Sequence, residues 1–155
     1  MLREYLKNYK VILASGSPRR QQFFRDLDLD FEIRLKEVEE IYLKSKIYWH
    51  ATGFDEDENY QPVRFEHFGI APIEAISAGC IPILFKGGGL PEIINQLNLD
   101  NSAYLFDSVD SLVSLTIRQM NNEKMHNWKE IFKILNENYS QKVFKGKFLK
   151  LVSRS

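Results

Sequence analysis

The 155-residue chain carries 21 basic and 21 acidic side chains, and 44% of its residues are hydrophobic. That suits one compact domain, or pieces of two, and leaves no net field to gather nucleic acid or an anionic membrane. The single Cys80 excludes an internal disulfide. No cationic start runs into an apolar stretch and no apolar run is long enough to span a bilayer, so no transmembrane segment and a reduced, cytoplasmic setting are expected.

In chain order, Leu2, Tyr5, Leu6 and Tyr9 fall at helical spacing, and Lys10–Ala14 reads as a short buried strand. Ser15-Gly-Ser-Pro-Arg-Arg20 is a turn whose Pro18 suits the first turn of a helix over Arg19–Leu27. Phe31–Leu35 alternates as a half-exposed strand does, ahead of an acidic Lys36–Glu40. The character changes around Ile41–Lys46. Lys46–Ala51 is a strand and Thr52–Pro62 a polar loop. A short helix Ile73–Ala78 closed by Gly79, a strand Cys80–Phe85 and a helix opening within Lys86–Glu92 follow. Ala103–Phe106 reads as another strand. Ser108 or Asp110 opens a helix through Met120, Asn122–Asn136 continues helically, and an amphipathic segment with Val143, Phe144, Phe148 and Leu151 starts at Ser140. Strand and helix alternate, which implies a parallel sheet covered by helices.

The chemistry concentrates in Glu66-His-Phe-Gly-Ile-Ala-Pro-Ile-Glu74. Carboxylates accept two hydrogen bonds from vicinal hydroxyls, and backbone amides at a glycine-containing helix start favour a phosphate. Gly69, Ile70 and Ala71 stand just ahead of Pro72 and the helix. Each residue also has a plainer reading: Glu74, in the first turn of a helix from Ile73, would complement the helix dipole, and so would Glu92 behind Pro91. His50 beside Trp49 reads as a packed strand residue, His67 as exposed, and Cys80 as a small buried strand residue. The Asp55–Asn59 loop reads as solvated, or as a weak cation site.

Taken together, Glu66-x7-Glu74 with Phe68-Gly69 inside it, Glu74-Ala-x-x-Ala78-Gly79-x-x-Pro82 and Gly88-Gly89-x-Pro91-Glu92 resemble the C-terminal domain of the retaining GT-B glycosyltransferases of family 4, the group 1 domain. Tyr48-Trp-His50-Ala-x-Gly53-Phe54 adds to the likeness. The resemblance implies a Rossmann-like parallel sheet with flanking helices, incomplete here, that binds a nucleotide-sugar without an obligatory metal. Glu66 would contact the donor sugar as the catalytic carboxylate, and Glu74 the ribose. Phe68, Gly69 and Ile70 would offer backbone N–H groups to sugar or diphosphate, and His50 would join the donor contacts.

Residues 1–43 carry a second likeness. Ile12-Leu-Ala-Ser-Gly-Ser-Pro-Arg-Arg20, Asp30-Phe-Glu-Ile33 and Glu37-Val-Glu-Glu40 resemble the start of the Maf nucleoside triphosphate pyrophosphatases. That resemblance implies that Ser15, Ser17, Arg19 and Arg20 bind phosphate, with a divalent metal under this alternative alone. The rest of the Maf pattern does not follow after Tyr42. The expected organisation is therefore a Maf-like fragment over 1–43 joined to a glycosyltransferase domain over 44–155, with the first fragment's strand standing in for a strand of the second. Nucleotide-sugar recognition is the primary expectation. A pyrophosphatase, and a non-catalytic module that self-associates through surface left by an absent domain, are the alternatives.

Overall fold

The computed structural model describes residues 2–57, 59–121 and 126–140. The expected segment after Ser140 lies outside them, as does the start of the helix expected from Asn122. The chain opens with α1 (Leu2–Leu6), β1 (Ile12–Leu13), α2 (Pro18–Asp26) and β2 (Glu32–Ile33). Pro18 starts α2, where its missing N–H costs nothing. A helix α3 (Val38–Lys44) follows within the acidic stretch, and its buried Ile41 and Tyr42 anchor it. The second part runs β3 (Ile47–His50), a single 3-10 turn (Pro62–Arg64), α4 (Ile70–Ser77), β4 (Ile81–Phe85) and α5 (Leu90–Gln96). It continues with α6 (Asn101–Tyr104), β5 (Leu105–Phe106), α7 (Val109–Asn121) and α8 (Trp128–Tyr139).

β3, β4 and β5 form a parallel sheet in that order, with Ile47 opposite Ile81 and Leu84 opposite Leu105. The α/β expectation of parallel strands with helices packed on them is met. β4 is the central strand, buried from Ile81 to Leu84, as an apolar run covered on both faces should be. Pro82 is tolerated there for a geometric reason. Ile81 N–H donates to the Lys46 carbonyl, so the alternate position 82 faces the other side, where β5 begins only at the level of Leu84.

Two expectations are corrected. β1 pairs only with β2, in a separate two-stranded parallel sheet, so the first block's strand does not extend the β3–β4–β5 sheet. The strand expected over Ala103–Phe106 shrinks to two residues, because Asp100 caps α6 by accepting the Ser102 N–H at 2.9 Å and draws Ala103 and Tyr104 into the helix.

The first block docks through side chains. Phe23 of α2 and Leu27 just after it pack on a cluster of Ile83, Phe106, Leu112 and Leu115, and Phe24 meets Trp49 with ring centres 5.8 Å apart. A larger cluster lies around Ile76, Leu84, Leu90, Ile94, Ile131 and Leu135, where α4, α5 and α8 cover the sheet. Among the described residues no helix is long and apolar enough to cross a membrane.

Candidate functional site

The site is built where β3 ends and α4 begins. Gly69 caps α4 at φ 64°, a left-handed conformation in which a Cβ would lie 2.1 Å from Ile93 Cδ1. The helix consequently starts at Ile70 rather than Ile73. That difference matters for Glu74, which becomes the fifth residue of α4 and leaves the first turn without any acidic residue. The dipole explanation of Glu74 therefore loses its footing, since that effect fades beyond the first turn. Glu74 is exposed, and its charge adds to the burial that raises the Tyr42 pKa. Glu92, by contrast, does sit in the first turn of α5, where it accepts from Gln96 at 2.9 Å.

Glu66 lies in the loop before Gly69 and turns back on it. Its Oε1 accepts the N–H groups of Phe68 at 3.1 Å and Gly69 at 2.9 Å. The amides assigned from the sequence to a donor ligand thus hold a carboxylate of the chain itself. Ile70, at the first helical position, and Phe68 are solvent-exposed at 66% and 83%, so the mouth of the site is open. The other Glu66 oxygen, Oε2, lies 3.3 Å from His50 Nε2, and His50 Nδ1 is 2.8 Å from the Tyr48 hydroxyl. An ionised carboxylate only accepts, so the His50 proton belongs on Nε2 and Tyr48 donates to Nδ1. His50 Nε2 is ion-pair close to Glu66 but off the line of a hydrogen bond, which leaves it a buried nitrogen without a well-directed partner. Tyr48 enters the sequence reading only within the Tyr48–Phe54 likeness, without a role of its own. Its i, i+2 spacing to His50 on one strand face is the signal that could have found it.

The electrostatics follow from this packing. Burial lowers the His50 pKa, partly offset by Glu66, and Arg20 lowers it further. Partial burial alone would raise Glu66, but the Gly69 and Phe68 amides and His50 outweigh it, so the carboxyl titrates below its ordinary value. Burial raises Tyr48, which stays a neutral donor. The unfolded chain therefore takes up a proton at position 50 before the folded protein does. This contribution to stability is complete above about pH 6.5 and is lost as pH falls below that toward the folded pKa. Glu66 adds a second loss below the ordinary carboxylate range. His126 is likewise lowered by burial and shares the first window. The thermal midpoint of His50→Gln should accordingly fall less steeply between pH 7 and pH 5 than that of the wild type. Parallel midpoint curves would show that position 50 does not carry this linkage.

The first block's residues reach the same region. Ser15, Ser17, Arg19 and Arg20 line one open cavity of about 1340 Å³ together with His50 and Ala71. Arg19 is committed there, donating to the Phe54 carbonyl at 3.1 Å and pairing with Glu56, which Arg64 also holds at 2.8 Å. Arg20 donates to Ser15 Oγ at 3.2 Å, and the same oxygen accepts the Ser17 N–H. Glu56 is thus braced by two arginines. Among the described residues no group of three or more His, Cys, Asp or Glu is placed to hold a metal ion. Cys80 is fully buried, its thiol donates to the Tyr42 carbonyl at 3.2 Å, and burial pushes its pKa up to about 11. The thiol plays no part in this site.

Comparison with known proteins finds relatives of two kinds. A short N-terminal stretch is similar to dTTP/UTP pyrophosphatases, with 86% identity over 42 residues to that of Flavobacterium johnsoniae, covering 27% of this chain and 22% of the relative. Glycogen synthase of Gloeobacter violaceus is 31% identical over 105 residues, 64% of this chain and 22% of its own length. That of Chlorobium limicola is 28% identical over 97 residues, 62% of this chain and 19% of its own. The chain thus spans only 19–22% of these relatives. No solved structure matches at a significant level. The family model described as glycosyl transferases group 1 matches residues 29–133, which takes in β2 through the first half of α8 and every element that builds the Glu66 loop. The parallel β3–β4–β5 sheet, the glycine-capped α4 and that match together place the chain in the glycosyl transferases group 1 family.

Proposed function

We propose that this domain binds a nucleotide-sugar donor, with Glu74 on the ribose, Glu66 on the sugar and the opening of α4 on the diphosphate. The observation that carries the reading is the position of Glu74. It stands exposed in the second turn of α4, away from the helix-dipole role that its sequence position allowed, and the Phe68 and Gly69 amides just ahead of the same helix already hold an anion. A carboxylate so placed suits a vicinal diol, to which it can offer both oxygens. In the intact family reading, transfer of a hexose proceeds with retention, as fixed donors stabilise the departing nucleotide. We further read the chain as two units, 1–43 pyrophosphatase-like and 44–155 glycosyltransferase, a boundary that the family match from residue 29 crosses.

Titration with UDP- and GDP-sugars tests the proposal. The wild type should bind one of the two classes, and Glu74→Ala should weaken it roughly tenfold or more through loss of a charge-assisted hydrogen-bond pair. If the wild type binds neither class, the reading fails.

A further inference from the structure

His50 stands behind Glu66 as seen from solvent. Its side chain is 12% exposed and its Nε2 atom is fully buried, whereas the Glu66 side chain keeps 23% of its surface open. A ligand in the site can therefore touch Glu66 and not the ring nitrogen behind it. The ring is held from its other end. Tyr48 donates to Nδ1 at 2.8 Å, and Tyr42 of α3 packs edge-on against Tyr48, with ring centres 5.5 Å apart and planes at 90°. Turning the imidazole over would bring a C–H to the Tyr48 hydroxyl and leave both polar groups without a partner, which costs enough to keep the ring as it is. Burial and the charge of Arg20, against the pull of Glu66, keep the ring neutral at ordinary pH, so His50 works through its N–H and not as a cation.

The carboxylate has a use for such a neighbour. The Phe68 and Gly69 amides fix Oε1 at 3.1 and 2.9 Å, but a carboxylate pinned at one oxygen still pivots about it. The Nε2–H of His50, 3.3 Å from Oε2, supplies a second point and fixes the plane. This is the attraction of an N–H dipole to a charge, and it does not need the straight line of a hydrogen bond. An ionised carboxylate has about four acceptor positions. While the amides hold Oε1, both of its positions are used, and the imidazole N–H stands beside Oε2. One position is left for a ligand.

We propose that His50 is a positioning residue, which aligns the Glu66 carboxylate without touching the ligand, so that Glu66 reads a single sugar hydroxyl and discriminates between sugars that differ at that one centre. Tyr48 serves the same end by holding the ring. This gives His50 a different part from the direct donor contact expected of it, and the reading of a hydroxyl rests on the nucleotide-sugar proposal. Glu74, exposed and with both oxygens to offer, takes a diol, and Glu66 becomes the selective member of the pair. A sugar of the wrong configuration leaves the remaining acceptor position of Glu66 without a partner, a loss of the kind that gives roughly tenfold selectivity or more.

Two measurements on the full chain separate the halves of the proposal. Nitrogen-15 NMR of the histidine rings at pH 8 needs no ligand. His50 should carry its proton on Nε2 with Nδ1 as a hydrogen-bonded acceptor, and an Nδ1–H ring overturns the proposal, since a lone pair would then face Glu66. The Glu66 carboxyl, followed by carbon-13 NMR, should titrate higher in His50→Leu than in the wild type, and between the two in His50→Gln, which keeps a donor but no charge. An unmoved Glu66 overturns the proposal as well. Thermal melts establish which variants fold, and should His50→Leu not, the tautomer and His50→Gln decide.

Calorimetric titration with UDP-glucose and UDP-galactose, and with GDP-glucose and GDP-mannose, uses pairs that differ at one hydroxyl. The wild type should favour one member of a pair roughly tenfold or more. His50→Gln should keep most of that preference, Tyr48→Phe less, and His50→Leu should narrow it to about two- or threefold while still binding. A preference that survives intact in His50→Leu overturns the proposal, and so does a wild type that binds both members of a pair equally. If no nucleotide-sugar binds while the tautomer and the Glu66 titration are as described, the positioning stands, and the nucleotide-sugar reading falls together with the single hydroxyl.

Discussion

Gly88→Ala is expected to lower the unfolding free energy by about 2–4 kcal/mol and to unseat Glu66. Gly88 sits at φ 58°, where an L side chain is strained, and a Cβ built there would come 2.5 Å from the Glu66 carbonyl oxygen and 3.1 Å from Phe65 Cβ. The first of these is backbone and cannot swing aside. The same carbonyl accepts the Gly89 N–H at 2.8 Å, so the glycine loop before α5 is what holds the Glu66 segment in place. Pushing the two apart would carry the carboxylate away from the Phe68 and Gly69 amides. Urea unfolding beside Gly79→Ala separates the causes, because Gly79 also has a positive φ, of 92°, but nothing lies within 4 Å of a Cβ there. That reference variant should lose only about 1 kcal/mol for its backbone. Equal losses in the two variants would mean that the loops are not in the tight contact described.

Phe106→Ala should be comparably damaging, at about 3–5 kcal/mol. The ring is fully buried at the end of β5, with centres 5.7 Å from Phe85 and 5.9 Å from Phe54, and it belongs to the cluster on which α2 rests through Phe23 and Leu27. Its removal would empty the space beneath the first block as well as the end of the sheet. Against the roughly 5–15 kcal/mol that separates a typical folded domain from its unfolded chain, such a loss is a large share. Thermal or urea unfolding of Phe106→Ala and Phe68→Ala makes the comparison. The second ring is 83% exposed and should cost little. A Phe106→Ala midpoint near that of the wild type would contradict the packing.

Much of the second block was legible because its punctuation is strong. Gly69, Gly79 and Gly88-Gly89-Leu-Pro91 mark helix ends and starts, and between them β4 is a plain apolar run. Where punctuation is weak the reading slipped. α3 hid among charges, although Val38, Ile41 and Tyr42 stand at helical spacing. In Ala103–Phe106 four apolar residues in a row conceal a change from helix to strand that Asp100 imposes from outside the run. The start of α4 was placed too late because Pro72 marks a first turn, not necessarily a first residue, and Gly69 was the true boundary.

The site was legible as a motif and not as a geometry. Glu66, Gly69 and Glu74 lie within one short segment and could be read together. Tyr48 and His50 come to Glu66 only because β3 ends beside that loop, and Arg20 comes to share a cavity with Tyr48 and His50 only because two aromatic-rich surfaces meet. Tertiary packing of this kind leaves no local period in a sequence. The separateness of the β1–β2 pair has the same origin, since strands of two residues carry too little pattern to announce their neighbours.

The Glu66 carboxylate on the Phe68 and Gly69 amides bears on how this protein would trade with its surroundings. Donors that are never bare do not have to be stripped of water by an arriving anion, but they do have to be surrendered by the one already there. Any affinity measured at this spot is then a difference between two anions, smaller than the strength of either contact. A departing ligand is followed at once by a tethered replacement, so rapid turnover of the occupant, more than tight retention, is what this arrangement favours.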